Sequence, residues 1–190
     1  LILILSGSVS SWIEKRLLSH SGFYGRISIK LKLLEQPLSD CNQYWARFES
    51  NISSYEKLKI LSVTGGIPKY LEEINPTYSA EENIKSLCFT ESGLLFNDYE
   101  YIFSSQLERE SDLYHKIIQV LCKHNLLRND MLTQLNKQSG GLLTSYIDEL
   151  EAAGFLARDY TWNLKTGTLS KISQYRLSDN YIRFYTKYIM

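Results

Sequence analysis

The sequence predicts a mostly helical α+β protein in three parts: strand–helix–strand, then a helical region, then three helices and a β-hairpin. Three observations predict it. The apolar run Leu1–Leu5 leads through a polar turn and a helical stretch into a period-two segment at Ile27–Leu33. From Pro37 to residue 108 apolar residues recur at helical spacing, with cap residues between the segments. From there to residue 190 the pattern is helix, short helix, helix, strand, turn, strand and a terminal helix.

The first part, residues 1–36, reads as a parallel crossover unit. "LILIL" has the unbroken apolar character of a strand buried on both faces. "SGSVSSWIEKRLLSH" then supplies a turn and a helix, and after "GFYGR" Ile27, Ile29, Leu31 and Leu33 alternate with Ser28, Lys30 and Lys32. Two strands do not make a stable sheet. We therefore expect the chain to be a fragment whose remaining strands lie upstream or in another chain.

Residues 37–108 read as a helical bundle. "PLSDCNQYWARFES" offers Ser39 or Asp40 as a cap and Tyr44, Trp45 and Phe48 as a buried face. A second helix runs from Ser53 to Thr64 and stops at Gly65-Gly66; a third opens at Pro68, a favoured first-turn residue. Ser79 with Glu82 three residues later forms a capping box for a helix reaching Phe89. Residues 93–103 are a further connection with helical character.

Residues 109–190 carry the amphipathic helix "SDLYHKIIQVLCKH", with Leu113, Ile117 and Leu121 on one stripe. "RNDMLTQLN" and "GGLLTSYIDELEAAG" follow as helices, and Gly154 stops the second. "FLARDYTW" and "SQYRLSD" read as strands joined by the polar turn "NLKTGTLSKI". This order is that of a winged helix-turn-helix. Ser178 is the expected cap of a last helix, "DNYIRFYTKYIM".

Composition excludes more than it selects. Net charge is zero, with 21 basic and 21 acidic residues among 190 and a mild basic excess in the C-terminal part, so bulk electrostatics names no partner. The longest apolar run is far short of the ~20 residues of a membrane span, and no charged region precedes it as in a signal peptide. We expect a soluble, cytoplasmic protein with no membrane partner. Cys41, Cys88 and Cys122 are odd in number and widely spaced, and no Cys or His pair has zinc spacing, so we expect neither a disulfide framework nor a metal site.

The pair Gly65-Gly66 invites comparison with a phosphate-binding loop. Such a loop needs Gly-x-x-x-x-Gly-Lys-Ser/Thr after a strand, so that backbone amides, lysine and hydroxyl converge on phosphate and Mg²⁺. No glycine in this sequence precedes a lysine, and the pair ends a helix rather than a strand. The acid pairs Glu72-Glu73 and Glu81-Glu82 suit solvated helix faces, and no serine or cysteine has a histidine in an orienting context. The chain by itself carries no complete nucleotide-hydrolysing site.

In order, "LILILSGSVSSWIEK", "GFYGRISIKLKLLEQPLS", "VTGGIPKYLEE", "LERESDLYHKIIQVL", "GGLLTSYIDELEAAGFLARDY" and "QYRLSDNYIRFYTKYI" resemble the archaeal-type ATPase family of the AAA+/STAND group of P-loop proteins. The resemblance covers essentially the whole chain and matches the family's C-terminal part. It implies a remnant of the parallel α/β P-loop core at 1–36, a helical lid at 37–108 and a winged helix with a terminal helix at 109–190. The Walker A and Walker B strands that precede these in the family are absent from this sequence.

The resemblance also implies roles. Ser6 and Ser8 stand where such ATPases place a sensor side chain near the γ-phosphate; the other reading is a helix-capping serine. Arg26 matches a Gly-Arg before the last core strand, where an arginine stabilises phosphate charge in its own or a neighbouring subunit; the other reading is a surface arginine. Gly65, Gly66 and Pro68 match the lid turn beside the adenine; the other reading is a plain interhelical corner. ATP and Mg²⁺ are the implied cofactors of the intact protein, with none expected on this chain alone. The implied partners are the P-loop part and further copies of the subunit.

The alternative is a winged-helix DNA-binding or regulatory protein with an N-terminal dimerisation platform. Arg158, Lys165 and Lys171 are its DNA-contact candidates. A groove-reading helix presents Arg, Lys, Asn or Gln to base edges, whereas the helix at Leu142–Ala153 offers Asp148, Glu149 and Glu151. A structural or protein-contact role for the wing is the preferred reading.

Overall fold

The computed structural model describes residue 4 and residues 25–46, 52–106, 111–136 and 141–190. Among these residues the elements, in chain order, are α1 (Leu38–Ala46), α2 (Ser54–Thr64), α3 (Pro68–Glu72), α4 (Ala80–Cys88), α5 (Leu94–Gln106), α6 (Ser111–Lys123), β1 (Leu126–Leu127), α7 (Arg128–Gln134), α8 (Gly141–Ala153), β2 (Leu156–Asn163), β3 (Thr168–Leu177) and α9 (Asn180–Tyr188). The protein is thus mixed α and β and mostly helical, with one small antiparallel sheet. No helix among the described residues is long and apolar enough to cross a membrane.

The chain divides into two compact units. One joins the described residues up to Lys32 with Asp112–Ser178; the other joins Leu33–Ser111 with Asp179–Met190. The expected division at 36 and 108 therefore differs from the observed one in a physical respect: α9 follows the hairpin in sequence but packs within the helical unit, against α2.

Local rules account for most boundaries of the helical unit. Ser53 caps α2 by accepting from Glu56 N at 3.2 Å. At α4 both halves of the capping box form, with Ser79 Oγ accepting from Glu82 N and Glu82 Oε2 accepting from Ser79 N at 2.8 Å. Ser79→Ala removes one half and leaves a helix-terminal amide without its acceptor; we expect a loss of about 1 kcal/mol, read as a lower denaturant midpoint with unchanged slope. At α1 the expected cap residues are already inside the helix, because the Pro37 carbonyl accepts from both Asp40 N and Cys41 N.

The unit's core is aromatic. Tyr99 stacks parallel on Tyr185 with ring centroids 4.3 Å apart. Tyr181, buried, meets Tyr70 edge-on at 5.5 Å and donates its hydroxyl to the Leu95 carbonyl at 2.6 Å. Trp45, Ile60, Leu71, Leu95 and Phe103 complete the interior.

In the other unit the sheet order is β1-β3-β2, all antiparallel, with Leu126 opposite Tyr175 and Leu156 opposite Leu177. Leu113, Ile117 and Leu121 of α6, Met131 of α7, and Leu143, Ile147 and Leu150 of α8 are buried with Leu156, Tyr175 and Leu177 of the sheet. Gly154 stops α8 at φ 90°, a conformation that suits glycine. Two details differ from expectation. β3 starts at Thr168, inside the stretch read as turn, and the cap of α9 is Asp179, which accepts from Ile182 N at 2.7 Å, rather than Ser178.

The larger correction concerns Ile27–Leu33, which is not a strand in the structure. Its alternating apolar side chains stand in solvent, up to Leu33 at 93% exposure. A period-two pattern makes a strand only where a neighbouring edge takes its backbone hydrogen bonds, and among the described residues no strand lies beside it. The expected strand Leu1–Leu5 lies outside the described residues apart from Ile4, and the expected helix between the two lies outside them entirely.

Candidate functional site

The corner between α2 and α3 is the best-defined candidate. α2 ends because Gly65 takes φ 60°, ψ −160°, and its amide donates back to the Leu61 carbonyl at 2.9 Å. Thr64, buried, donates its hydroxyl to Ile60 O and Gly65 O, at 3.1 and 3.0 Å. α3 opens at Pro68, with the Ile67 carbonyl accepting from Tyr70 N and Leu71 N. The fixed φ of proline suits this first-turn position, where its missing N–H costs no intrahelical bond.

What closes the corner is the chain thirty residues upstream. Gln36 N donates to Gly66 O at 2.8 Å, and Gly66 N donates to Glu35 Oε2 at 3.2 Å. The approach is so close that a Cβ on Gly66 would lie 2.0 Å from the Gln36 carbonyl oxygen. Asn180, at the start of α9, joins the same place by donating to Leu61 O at 3.1 Å.

Both glycine amides are therefore occupied, one by a main-chain carbonyl and one by a carboxylate. Neither glycine amide is free to bind an oxyanion, and Glu35 places a carboxylate beside them. The glycine pair does not fit a phosphate group. Gly65 and Gly66 are buried, while Pro68 and Lys69 are exposed on its outer surface.

Asp179 adds the unusual electrostatics. Burial is the main cause that pushes its carboxyl up, to about 6, and the charge of Glu35 pushes in the same direction. A carboxyl raised above its unfolded value binds its proton more tightly in the folded state. Its contribution to stability is therefore present at low pH and is lost as pH rises through about 6. We expect the helical unit to gain stability between pH 7 and pH 5, and Asp179→Asn, which keeps a capping oxygen, to flatten that slope in thermal melts across pH.

The wing candidates lie on the β2–β3 hairpin. Arg158 Nε donates to Ser173 Oγ at 2.8 Å, and the guanidinium lies 4.9 Å from the Tyr160 ring centre and 5.4 Å from that of Tyr175. Lys165 is in the turn and Lys171 in β3, both exposed. The acids of α8 are engaged within the unit: Asp148 pairs with Arg128 at 3.3 Å, and Glu149 accepts from the Tyr114 hydroxyl. Inside this unit the Tyr175 hydroxyl and Arg128 Nε are buried without a hydrogen-bond partner among the described residues.

Of the remaining candidates, Ser6 and Ser8 lie outside the described residues, and Arg26 is exposed in a turn. No group of three or more His, Cys, Asp or Glu is arranged to hold a metal among the described residues. Sequence reasoning missed Glu35, Gln36, Asp179 and Asn180. Only Asp179 left a local signal, as a capping residue before an apolar helix; the others act through contacts far apart in sequence.

No family model matches the chain, and no solved structure matches it. It is similar to the uncharacterized protein MJECL04 of the archaeon Methanocaldococcus jannaschii, with 25% identity over 191 residues. The match takes in 99% of this chain and 40% of that protein, so the chain spans less than half of its relative's length.

Proposed function

We propose that this chain is the C-terminal part of an archaeal-type ATPase of the AAA+/STAND group, with a helical lid and a winged helix-turn-helix, its residues 1–36 being the remnant of the core whose strand partners lie outside this chain. In the intact protein the lid and winged helix couple ATP binding and hydrolysis to conformational change, and the residues that hold ATP and Mg²⁺ lie outside this chain. The chain alone is catalytically inactive.

The observation that carries this reading is the order and pairing of residues 111–177. Helix, two-residue strand, helix, helix and hairpin, with the first strand against the last, is the arrangement expected of a winged helix. The six ordered motifs add to it. An archaeal relative of which this chain covers 40% is also long enough to hold a P-loop part.

At the corner, Gly65, Gly66 and Pro68 act in this reading as a joint, not as phosphate ligands. Gln36 and Glu35 lock α2 and α3 to the start of α1, so that the three move as one body. The joint is how a change beside the nucleotide reaches α9, since Asn180 holds the last turn of α2. Arg26 is exposed and open to contact a phosphate from outside the described residues, and Ser6 and Ser8 retain their proposed sensor roles.

Two measurements test this. Phosphate release from ATP by this chain alone is expected to be absent, and clear turnover would contradict the placing of the catalytic groups elsewhere. The coding DNA upstream of Leu1 is expected to contain, in frame, Gly-x-x-x-x-Gly-Lys-Ser/Thr. Tight, salt-sensitive binding of duplex DNA without nucleotide would instead favour the DNA-binding alternative.

A further inference from the structure

Two acidic side chains meet at the corner between α2 and α3 from distant parts of the chain. Glu35 follows closely on Leu33, where the helical unit takes up the chain, and Asp179 is the residue at which the chain re-enters that unit. Hydrogen bonds to one short piece of backbone fix their places. Glu35 Oε2 accepts from Gly66 N, while Asn180 Nδ2 and Gly65 N both donate to the Leu61 carbonyl. Glu35 and Asn180 thus grip the end of α2 on adjoining residues, which sets Asp179, the neighbour of Asn180, beside Glu35.

Asp179 is poorly placed to keep a charge. Its exposure is 8%, and its Oδ1 is occupied as the cap of α9, accepting from Ile182 N at 2.7 Å. Glu35 faces it from the segment before α1, Tyr70 from α3 and Arg183 from its own helix. The Tyr70 hydroxyl donates to Asp98 of α5, and Arg183 Nη2 donates to Asn180 Oδ1 at 2.9 Å. The end of α2, Leu61–Thr64, brings no titratable side chain.

Burial first, and then the charge of Glu35, push Asp179 up to about 6, and the opposing pull of Arg183 is weaker than the push of Glu35. No histidine occurs from Leu33 to Ser111 or from Asp179 to Met190. A titration near pH 6 inside the helical unit therefore belongs to a carboxyl.

We propose that Asp179 and Glu35 form a proton-operated clasp on the corner: ionised Asp179 repels Glu35 and weakens the Glu35–Gly66 bond, and a proton taken up by Asp179 ends the repulsion and tightens it. The clasp is tight at pH 5 and loosened at pH 7, because a carboxyl raised above its unfolded value favours the folded form while protonated. It acts within the helical unit and does not rest on the ATPase reading.

Amide NMR of the whole chain between pH 5 and pH 8 tests it. The Gly66 amide proton is expected to shift with a midpoint of about 6. Its exchange protection, corrected for the intrinsic rate, should be about tenfold greater at pH 5 than at pH 7, the linkage of one carboxyl titrating between them. Asp179→Asn keeps a capping oxygen and should abolish both effects at Gly66. Glu35→Gln keeps an acceptor for Gly66 N and should move the Asp179 midpoint, read at the Ile182 amide, to lower pH. A merely structural role for either carboxyl would leave these pH profiles where they are. No titration at Gly66 near pH 6, its persistence in the folded Asp179→Asn variant, or an Ile182 midpoint unmoved by Glu35→Gln would overturn the proposal.

Discussion

Gly66→Ala is expected to destabilise the helical unit by about 3–4 kcal/mol, more than Gly65→Ala, although Gly65 is the residue with positive φ. The two positions fail for different reasons. At Gly65 an alanine is held at φ 60°, in the left-handed region, and its Cβ meets the end of the Glu35 side chain at 2.7 Å. A carboxylate on a flexible stem can swing away, leaving the backbone strain of an alanine at φ 60°, ψ −160°, a region used almost only by glycine, at about 1–3 kcal/mol. At Gly66 the obstacle is main chain: Gln36 O at 2.0 Å and Gln36 N at 2.8 Å. Relief requires the 35–37 strand of chain to move, which breaks the Gln36–Gly66 bond and the Gly66–Glu35 bond together. Overpacking costs about 1–3 kcal/mol and each buried bond left unmade about as much again, with partial relaxation reducing the sum. Denaturant unfolding of the two single variants measures the order directly. Equal losses, or a larger loss at Gly65, would mean that the joint is not closed by Gln36.

Tyr181→Ala is the second large effect, with an expected loss of about 3–5 kcal/mol from the cavity and the lost hydrogen bond to the Leu95 carbonyl. Tyr181 is the anchor of the terminal helix. Its ring lies against Tyr70 and Tyr185, and its hydroxyl reaches Leu95. Because α9 belongs to the helical unit, the loss should fall there. Hydrogen exchange is expected to accelerate in α2, α3 and α5 while the amides of β2, β3 and α8 keep their protection. Tyr181→Phe, which keeps the ring, should lose only about 1 kcal/mol, the value of one hydrogen bond. Faster exchange confined to the hairpin unit would contradict the assignment of α9.

Where the determinant is local, the sequence was sufficient. Ser79 and Glu82 specify their helix start because both partners of the box lie within one turn, and Gly65 and Pro68 bracket the corner for the same reason. Ile27–Leu33 differs from its expected strand because alternation states which side chains share a face, not whether an edge exists to pair with. β1 is two residues long and exists only through its pairing with Tyr175 and Gln174, so no window of sequence reveals it. The decisive partners of the corner were out of reach for a similar reason. Gly66 and Glu35 are 31 residues apart, and Asn180 reaches Leu61 across 119. A glycine pair announces that something approaches closely; it does not say what.

The central claim is that the corner at Leu61–Tyr70 is a joint that responds to a nucleotide held by residues outside this chain. Hydrogen exchange of the Gly65 and Gly66 amides in the full gene product, with and without a non-hydrolysable ATP analogue at saturation, tests it most directly. The account predicts altered protection at both amides on adding the analogue, and no change when the present chain alone is given the same nucleotide. Unchanged exchange at both amides in the nucleotide-saturated full product would contradict it.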